Sequence, residues 1–163
     1  TNSNFVLGTD KVSISFWIKT RQTATAAVIE LGTDTNTNNS FISSINDTLA
    51  NRVSIIDHNS SGYNVGNSTV NINDNAWKHV VSMIDRSKVG SQQNSIYVNG
   101  ILSYVQSNLN QVVDLNGNWG LLPLFIGQRA GSLYGFNGQL KFLKIFNYPL
   151  SVTEITNLYN KTM

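Results

Sequence analysis

Apolar residues recur at every second position along most of the chain. Val12, Ile14, Phe16 and Ile18 alternate with Ser13, Ser15, Trp17 and Lys19, the pattern of a strand with one face toward a core. The same period runs through Ala26–Leu31, Phe41–Asn46, Val53–Asp57, Trp77–Asp85, Ser95–Val98, Leu102–Gln106, Leu124–Gln128 and Gln139–Phe146. Between these runs lie Thr33–Ser40, His58–Asn67, Arg86–Gln93, Leu109–Gly120 and Arg129–Gly138. They are rich in Asn, Ser, Gly and Thr, which favour turns through local hydrogen bonds or positive φ. Asn99-Gly100 falls between two strand patterns and predicts a tight hairpin, because a type I′ turn needs positive φ at both central residues. About ten short strands separated by turns predict an all-β protein, an antiparallel β-sandwich of two sheets.

The period changes at the C-terminus. Pro149 ends the last strand, and Ser151 with Glu154 forms a capping box ahead of Val152, Ile155, Leu158 and Tyr159 at helical spacing. One short amphipathic helix is therefore expected to pack on the sandwich. No internal repeat or linker interrupts the chain, so residues 1–163 are expected to form a single domain. A chain that starts without Met, inside a strand-like stretch, is expected to be a module of a larger protein with flanking domains.

Composition narrows the function. Charged residues make up 12% of the chain, about half the usual ~25%, so solubility rests on amides and hydroxyls: there are 23 Asn, 18 Ser and 13 Thr. That is the style of a secreted protein or of one displayed on a cell or virion. The absence of cysteine excludes a disulfide framework, a thiol nucleophile and every cysteine-bearing zinc motif. The eleven cations are scattered, giving a net charge of +2, and no stripe suited to tracking phosphates appears, so nucleic acid is not an expected partner. No apolar run approaches the ~20 residues that span a bilayer, and membrane insertion is not expected.

Catalysis lacks its carriers. A retaining glycosidase needs two carboxyl groups ~5–5.5 Å apart. The chain has only two glutamates, Glu30 and Glu154; the second is a helix cap, and no acid sits two residues from the first. His58 and His79 are the only imidazoles and belong to no spaced cluster. His79, in a strand beside Trp77 and Val81, reads as a hydrogen-bonded structural histidine. No nucleophile elbow or phosphate loop occurs. A non-catalytic protein is expected.

The order of several short segments carries a resemblance. Val12-Ser13-Ile14-Ser15-Phe16-Trp17-Ile18-Lys19-Thr20 is followed by Trp77-Lys78-His79-Val80-Val81, Ile96-Tyr97-Val98-Asn99-Gly100, Phe125-Ile126-Gly127 and Phe136-Asn137-Gly138-Gln139-Leu140. Ile145-Phe146-Asn147-Tyr148-Pro149-Leu150-Ser151 and the helix to Leu158-Tyr159 complete the series. From Asn4 to Tyr159 this order resembles the concanavalin A-like lectin/glucanase superfamily, and most of all its laminin-G-like jelly-roll branch. The resemblance implies two facing antiparallel sheets, one concave, and a module that binds carbohydrate or protein on the concave face or its rim loops. The family usually has an acidic pair after the glycine of the penultimate motif, where this chain has Lys141 and Lys144. Relatives often hold one calcium ion at a loop rim, and Asp34 with Asn36, or Asp74, are candidate oxygen ligands.

Sugar recognition needs an aromatic ring for the apolar face of a pyranose and planar polar groups for its hydroxyls. These types gather in three expected loops: His58, Asn59 and Tyr63; Asn116, Asn118 and Trp119; Arg129 and Tyr134. Trp119, between Gly117 and Gly120 in a polar stretch, has no periodic reason to be buried. Trp17 and Trp77 fall in strand patterns and are expected in core or inter-sheet packing, with Tyr97 and Tyr104 as cross-strand partners. The leading expectation is a carbohydrate-binding or adhesion module whose partner is a glycan or glycoprotein. The rival is a structural or protein-interaction domain of a viral or cell-surface assembly.

Overall fold

A computed structural model describes residues 11–32, 40–59, 62–88, 93–105 and 122–161. Ten strands run through them: β1 (Lys11–Thr20), β2 (Ala26–Leu31), β3 (Ser40–Ile45), β4 (Val53–Asn59), β5 (Gly62–Asn67), β6 (Lys78–Asp85), β7 (Asn94–Val98), β8 (Ile101–Val105), β9 (Leu124–Ile126) and β10 (Gly138–Phe146). A helix α1 (Val152–Lys161) follows. One sheet has the order β10-β1-β6-β7-β8 and the other β5-β4-β3-β2-β9, with antiparallel pairing between the neighbours. The all-β, two-sheet antiparallel sandwich with one C-terminal helix is thus present as the alternation predicts.

Alternate residues of both sheets meet in one core. Val12, Ile14, Phe16 and Ile18 of β1 pack with Val80, Ile84, Ile96 and Val98 and with Ala26, Ile29, Phe41, Ile45, Val53 and Ile55 of the opposite sheet. Among the described residues two polar links cross this core. Ser43 Oγ lies 2.9 Å from Ser82 Oγ, and Asn94 Nδ2 donates to Asp57 Oδ1 at 2.6 Å. Asp57 is fully buried, and burial pushes its carboxyl above the usual range against the pull of Asn94 and Asn64.

The same polar link explains why β5 is not apparent from hydrophobic alternation. On this strand the core-side positions are Asn64, whose Nδ2 donates to Asp57 Oδ2 at 3.2 Å, and Gly66. A Cβ on Gly66 would lie 1.9 Å from the Tyr104 ring, so the ring occupies the space a side chain would need. With an amide and a glycine in the apolar slots, a strand reads as a turn. His58, Asn59 and Tyr63 accordingly lie not in a loop but at the end of β4 and the start of β5, where His58 pairs with Tyr63 and Asn59 with Gly62.

The β7–β8 turn is the predicted hairpin, with φ of 52° at Asn99 and 78° at Gly100, the left-handed pair a type I′ turn requires. Tyr97 and Tyr104 are not cross-strand partners, however. Tyr104 pairs with Ile96 and Tyr97 with Leu102 across a register shift, so Tyr104 joins the inter-sheet core while Tyr97 joins a second cluster.

That second cluster covers the outer face of the first sheet. Leu150 and Ile155 pack on Val81 with Tyr97, Phe146 and Leu158 around them. The helix is nucleated by its cap: Ser151 N donates to Glu154 Oε2 at 2.8 Å and Glu154 N to Ser151 Oγ at 3.3 Å. These bonds hold the Glu154 carboxyl below its ordinary pKa. Ser13, on the outer face of β1, accepts from Leu150 N at 3.1 Å and donates to Tyr148 O at 2.8 Å, fixing the chain as it enters the helix. Trp17 is 4% exposed, yet it is buried between sheet and helix rather than between sheets: its ring stacks on Tyr159 at 5.8 Å and meets His79 at 5.5 Å.

Candidate functional site

Arg129 and Tyr134 are drawn together as expected, with Arg129 Cζ 6.0 Å from the Tyr134 ring centroid, but the arginine is held by the fold. Its Nε donates to Glu30 Oε1 at 3.2 Å, and Ala130 N donates to Glu30 Oε2 at 3.0 Å. Glu30, on β2, is fully buried, so both its oxygens are used to seat the 3₁₀ turn Ala130–Ser132 on the second sheet. Tyr134 adopts a φ of 52°, its carbonyl accepts from Ala27 N at 2.9 Å, and its ring is half exposed. Arg129 and Glu30 are a structural clamp.

Glu30 has no glutamate partner for bond cleavage. Glu154 caps a helix on the outer face of the other sheet, with the sandwich between the two. His79 is buried and its Nε2 lies 2.9 Å from Ser15 Oγ. Burial, with Lys144 nearby, lowers its pKa from 6.5 to about 4, so the imidazole is neutral at neutral pH, as a structural histidine should be.

Asp74 is bound up locally: Lys78 Nζ lies 2.8 Å from Oδ2 and Ala76 N donates to Oδ1 at 3.0 Å, contacts that lower its pKa. Among the described residues no three His, Asp or Glu side chains gather as a metal site. Asp34, Asn36, Asn116, Asn118 and Trp119 lie outside the described residues.

A second candidate place lies at one end of the β10-β1-β6 part of the first sheet. The end of β1, the following turn, the approach to β6 and the start of β10 enclose an open groove of about 690 Å³ lined by Lys19, Thr20, Arg21, Gln22, Thr23, Ala24, Asn75, Asn137, Gly138 and Gln139. Its walls are tied together. Thr20 Oγ1 donates to Asn137 O at 2.7 Å and accepts from Gln22 N at 2.9 Å. The Gln22 amide uses both ends, donating to Gly135 O at 3.0 Å and accepting from Asn137 N at 2.6 Å. Asn75 N donates to Thr20 O at 3.0 Å, and Asn46 Nδ2 holds the Gln22 and Ala24 carbonyls at 2.9 and 3.1 Å. Gly138 is required at the base: a Cβ there would lie 2.4 Å from Phe136 and 2.7 Å from Lys19 O.

Thr20 and Gln22 thus build the frame, and Lys19, Arg21 and Gln139 line the groove with no side-chain hydrogen bond or ion pair to another described residue. Lys19 pairs with Gln139 in the β1–β10 ladder, and the next pair on the same face is Trp17 with Lys141. Lys141 Nζ lies 5.1 Å from the Trp17 ring, 4.4 Å from Trp77 and 5.3 Å from Phe142. Trp77 is only half-buried and stands just before β6, outside the inter-sheet core expected for it. Phe142, at a β10 irregularity with φ of 54°, is 52% exposed. Sequence reading misses this site because its cations look scattered: the turn, the β6 approach and the β10 start are separated by over fifty residues each, and only the ladder joins them.

A search of curated protein sequences finds no match to the chain. Among solved structures, the sialidase carbohydrate-binding module (CBM40) of Ruminococcus gnavus, bound to α2,3-sialyllactose, superposes with a TM-score of 0.72 at 18% identity, covering 94% of this chain and 84% of that one. A SAP-like pentraxin from Limulus polyphemus matches with 0.67 at 14% identity over 98% and 77%. The binding domain of botulinum neurotoxin DC, in complex with rat synaptotagmin II, gives 0.64 at 16% identity over 95% and 36%. At these identities the likeness is one of fold. The family model described as the concanavalin A-like lectin/glucanases superfamily, in its laminin-G-like form, matches residues 1–156, and the chain belongs to that family.

Proposed function

We propose that the protein is a non-catalytic carbohydrate-binding module of a secreted or surface-displayed protein, and that its ligand lies in the groove between the β1 end and the β10 start. The observation that carries this reading is the division of labour in the groove, where the side chains of Thr20 and Gln22 are used up in the walls while Lys19, Arg21 and Gln139 line it without a side-chain partner among the described residues. A frame already rigid before binding keeps the ordering cost low. Trp77 and Phe142, whose rings hold the Lys141 ammonium at 4.4 and 5.3 Å, stand outside the groove lining and offer a sugar only the ring faces that Lys141 leaves open. The R. gnavus module, bound to α2,3-sialyllactose in its solved structure, lends support from a shared fold. A glycan array followed by calorimetry, with calcium and with chelator, tests the reading; saturable binding is expected, and the chelator arm decides whether a rim ion takes part. Absence of binding to any glycan in both arms would contradict it.

The rival reading, a protein-interaction domain of a viral or cell-surface assembly, draws on one observation. Leu124, Ile126 and Leu133 are each about half exposed on and after the edge strand β9, and exposed apolar groups at a sheet edge are suited to contact another chain. Self-association or co-purification that Ile126→Ser abolishes would favour it.

A further inference from the structure

We infer that the groove selects an acidic sugar, one bearing a carboxylate or a sulfate; the inference rests on the glycan-binding reading of that groove and names the ligand class. Neutral sugars offer hydroxyls that both donate and accept, and a site for them pairs donors with acceptors such as carboxylates. This groove is weighted to donors. Lys19 supplies an ammonium and Arg21 a planar guanidinium with five N–H groups, and no Asp or Glu is among the lining residues. A guanidinium fork matches a carboxylate or sulfate in two parallel hydrogen bonds.

The surroundings reinforce the sign of the charge. Each acid of the described residues has a partner outside the groove lining: Glu30 with Arg129, Asp47 with Ser44, Asp57 between the sheets, Asp74 with Lys78, Asp85 with Lys11 and Ser87, and Glu154 in the helix cap. Asp74 is the acid next to the groove, and its charge is matched by Lys78 at 2.8 Å. Along the same sheet face Lys141 and Lys144 follow Lys19 in the β1–β10 ladder, opposite Trp17 and Ser15. These lysines add positive charge along the face, which so presents a positive field to a ligand approaching the groove. Arg129 cannot serve this purpose, because its guanidinium already answers a buried carboxylate.

Titration calorimetry of the chain with lactose, α2,3-sialyllactose and sulfolactose tests the inference, since the three share one neutral core. At least one acidic ligand is expected to bind ~10-fold or more tighter than lactose. Preference for the first or the second identifies a carboxylate or a sulfate as the group recognised. That preference is expected to weaken between about 50 and about 300 mM salt. It is expected to fall to the lactose level in Arg21→Gln, with Lys88→Gln unchanged as the exposed control. Lactose bound as tightly as both acidic ligands overturns the inference and leaves the glycan-binding reading standing. An acidic preference that survives Arg21→Gln in a variant with an unchanged melting temperature overturns the assignment to this groove. No binding of all three, with a neutral glycan bound elsewhere on the array, overturns the inference alone; a blank array overturns both.

Discussion

Arg129 and Arg21 both leave a strand end and enter a polar connection, yet their surroundings differ. Arg129 meets Glu30, a fully buried carboxylate on β2, and the pair seats the turn after β9. Arg21 follows β1 into a turn whose hydrogen bonds are already satisfied by Thr20 and Gln22, and its side chain is exposed beside an open groove. Residue type alone does not separate them. What separates them is whether the fold has already supplied the opposite charge, and that is decided by a residue a hundred positions away in one case.

The comparison predicts a stability difference first. Glu30→Ala removes the buried carboxylate to which Arg129 Nε and Ala130 N donate, and should destabilise by about 3–5 kcal/mol, read by denaturant unfolding. His79 extends the contrast to a buried group kept uncharged. Its folded pKa of about 4 lies below the ordinary 6.5, so its contribution is present above about pH 6.5 and is lost as pH falls toward about 4. The slope should approach about 1.4 kcal/mol per pH unit and be absent from His79→Gln, and the difference between the two proteins isolates it from the opposing drift of Asp57.

Smaller effects map the groove itself. Gly138→Ala forces a Cβ against Lys19 O and the Phe136 ring and should cost about 1–3 kcal/mol together with ligand binding. Gln22→Ala removes two hydrogen bonds from the frame and should cost about 1 kcal/mol; binding should weaken with it although Gln22 itself is a positioning residue. Arg21→Gln should change stability by less than about 0.5 kcal/mol, since nothing in the fold depends on it. A melting temperature that drops as far in Arg21→Gln as in Glu30→Ala would erase the distinction.

Much of the fold is legible in the sequence. The alternation in β1, the Asn99-Gly100 turn and the Ser151–Glu154 capping box each state their geometry locally, and each is found as read. What is not legible depends on partners distant in the chain. Strand β5 hides because Asn64 and Gly66 occupy its core-side positions, which makes sense only once Asp57 and Tyr104 are beside them. Trp17 is buried as expected, but what buries it is not legible: the face of β1 carrying Ser13, Ser15 and Trp17 has no visible cover until the helix is laid over it. At the candidate site, Arg129 and Tyr134 are correctly brought together, but the demand of Glu30 on Arg129 is invisible in a single sequence. The groove combines segments near residues 20, 75 and 138, and no local pattern announces it.

The central claim is that ligand enters at the groove and not at the Arg129 rim. Two-dimensional NMR of the chain during a titration with α2,3-sialyllactose reads this directly. The account predicts shifts in the backbone amides of Lys19–Thr23, Asn75 and Asn137–Gln139, with those of Arg129–Tyr134 and His58–Tyr63 unmoved. Shifts concentrated at Arg129–Tyr134 or at the amides of His58, Asn59 and Tyr63, with the Lys19–Thr23 amides unchanged, would contradict it.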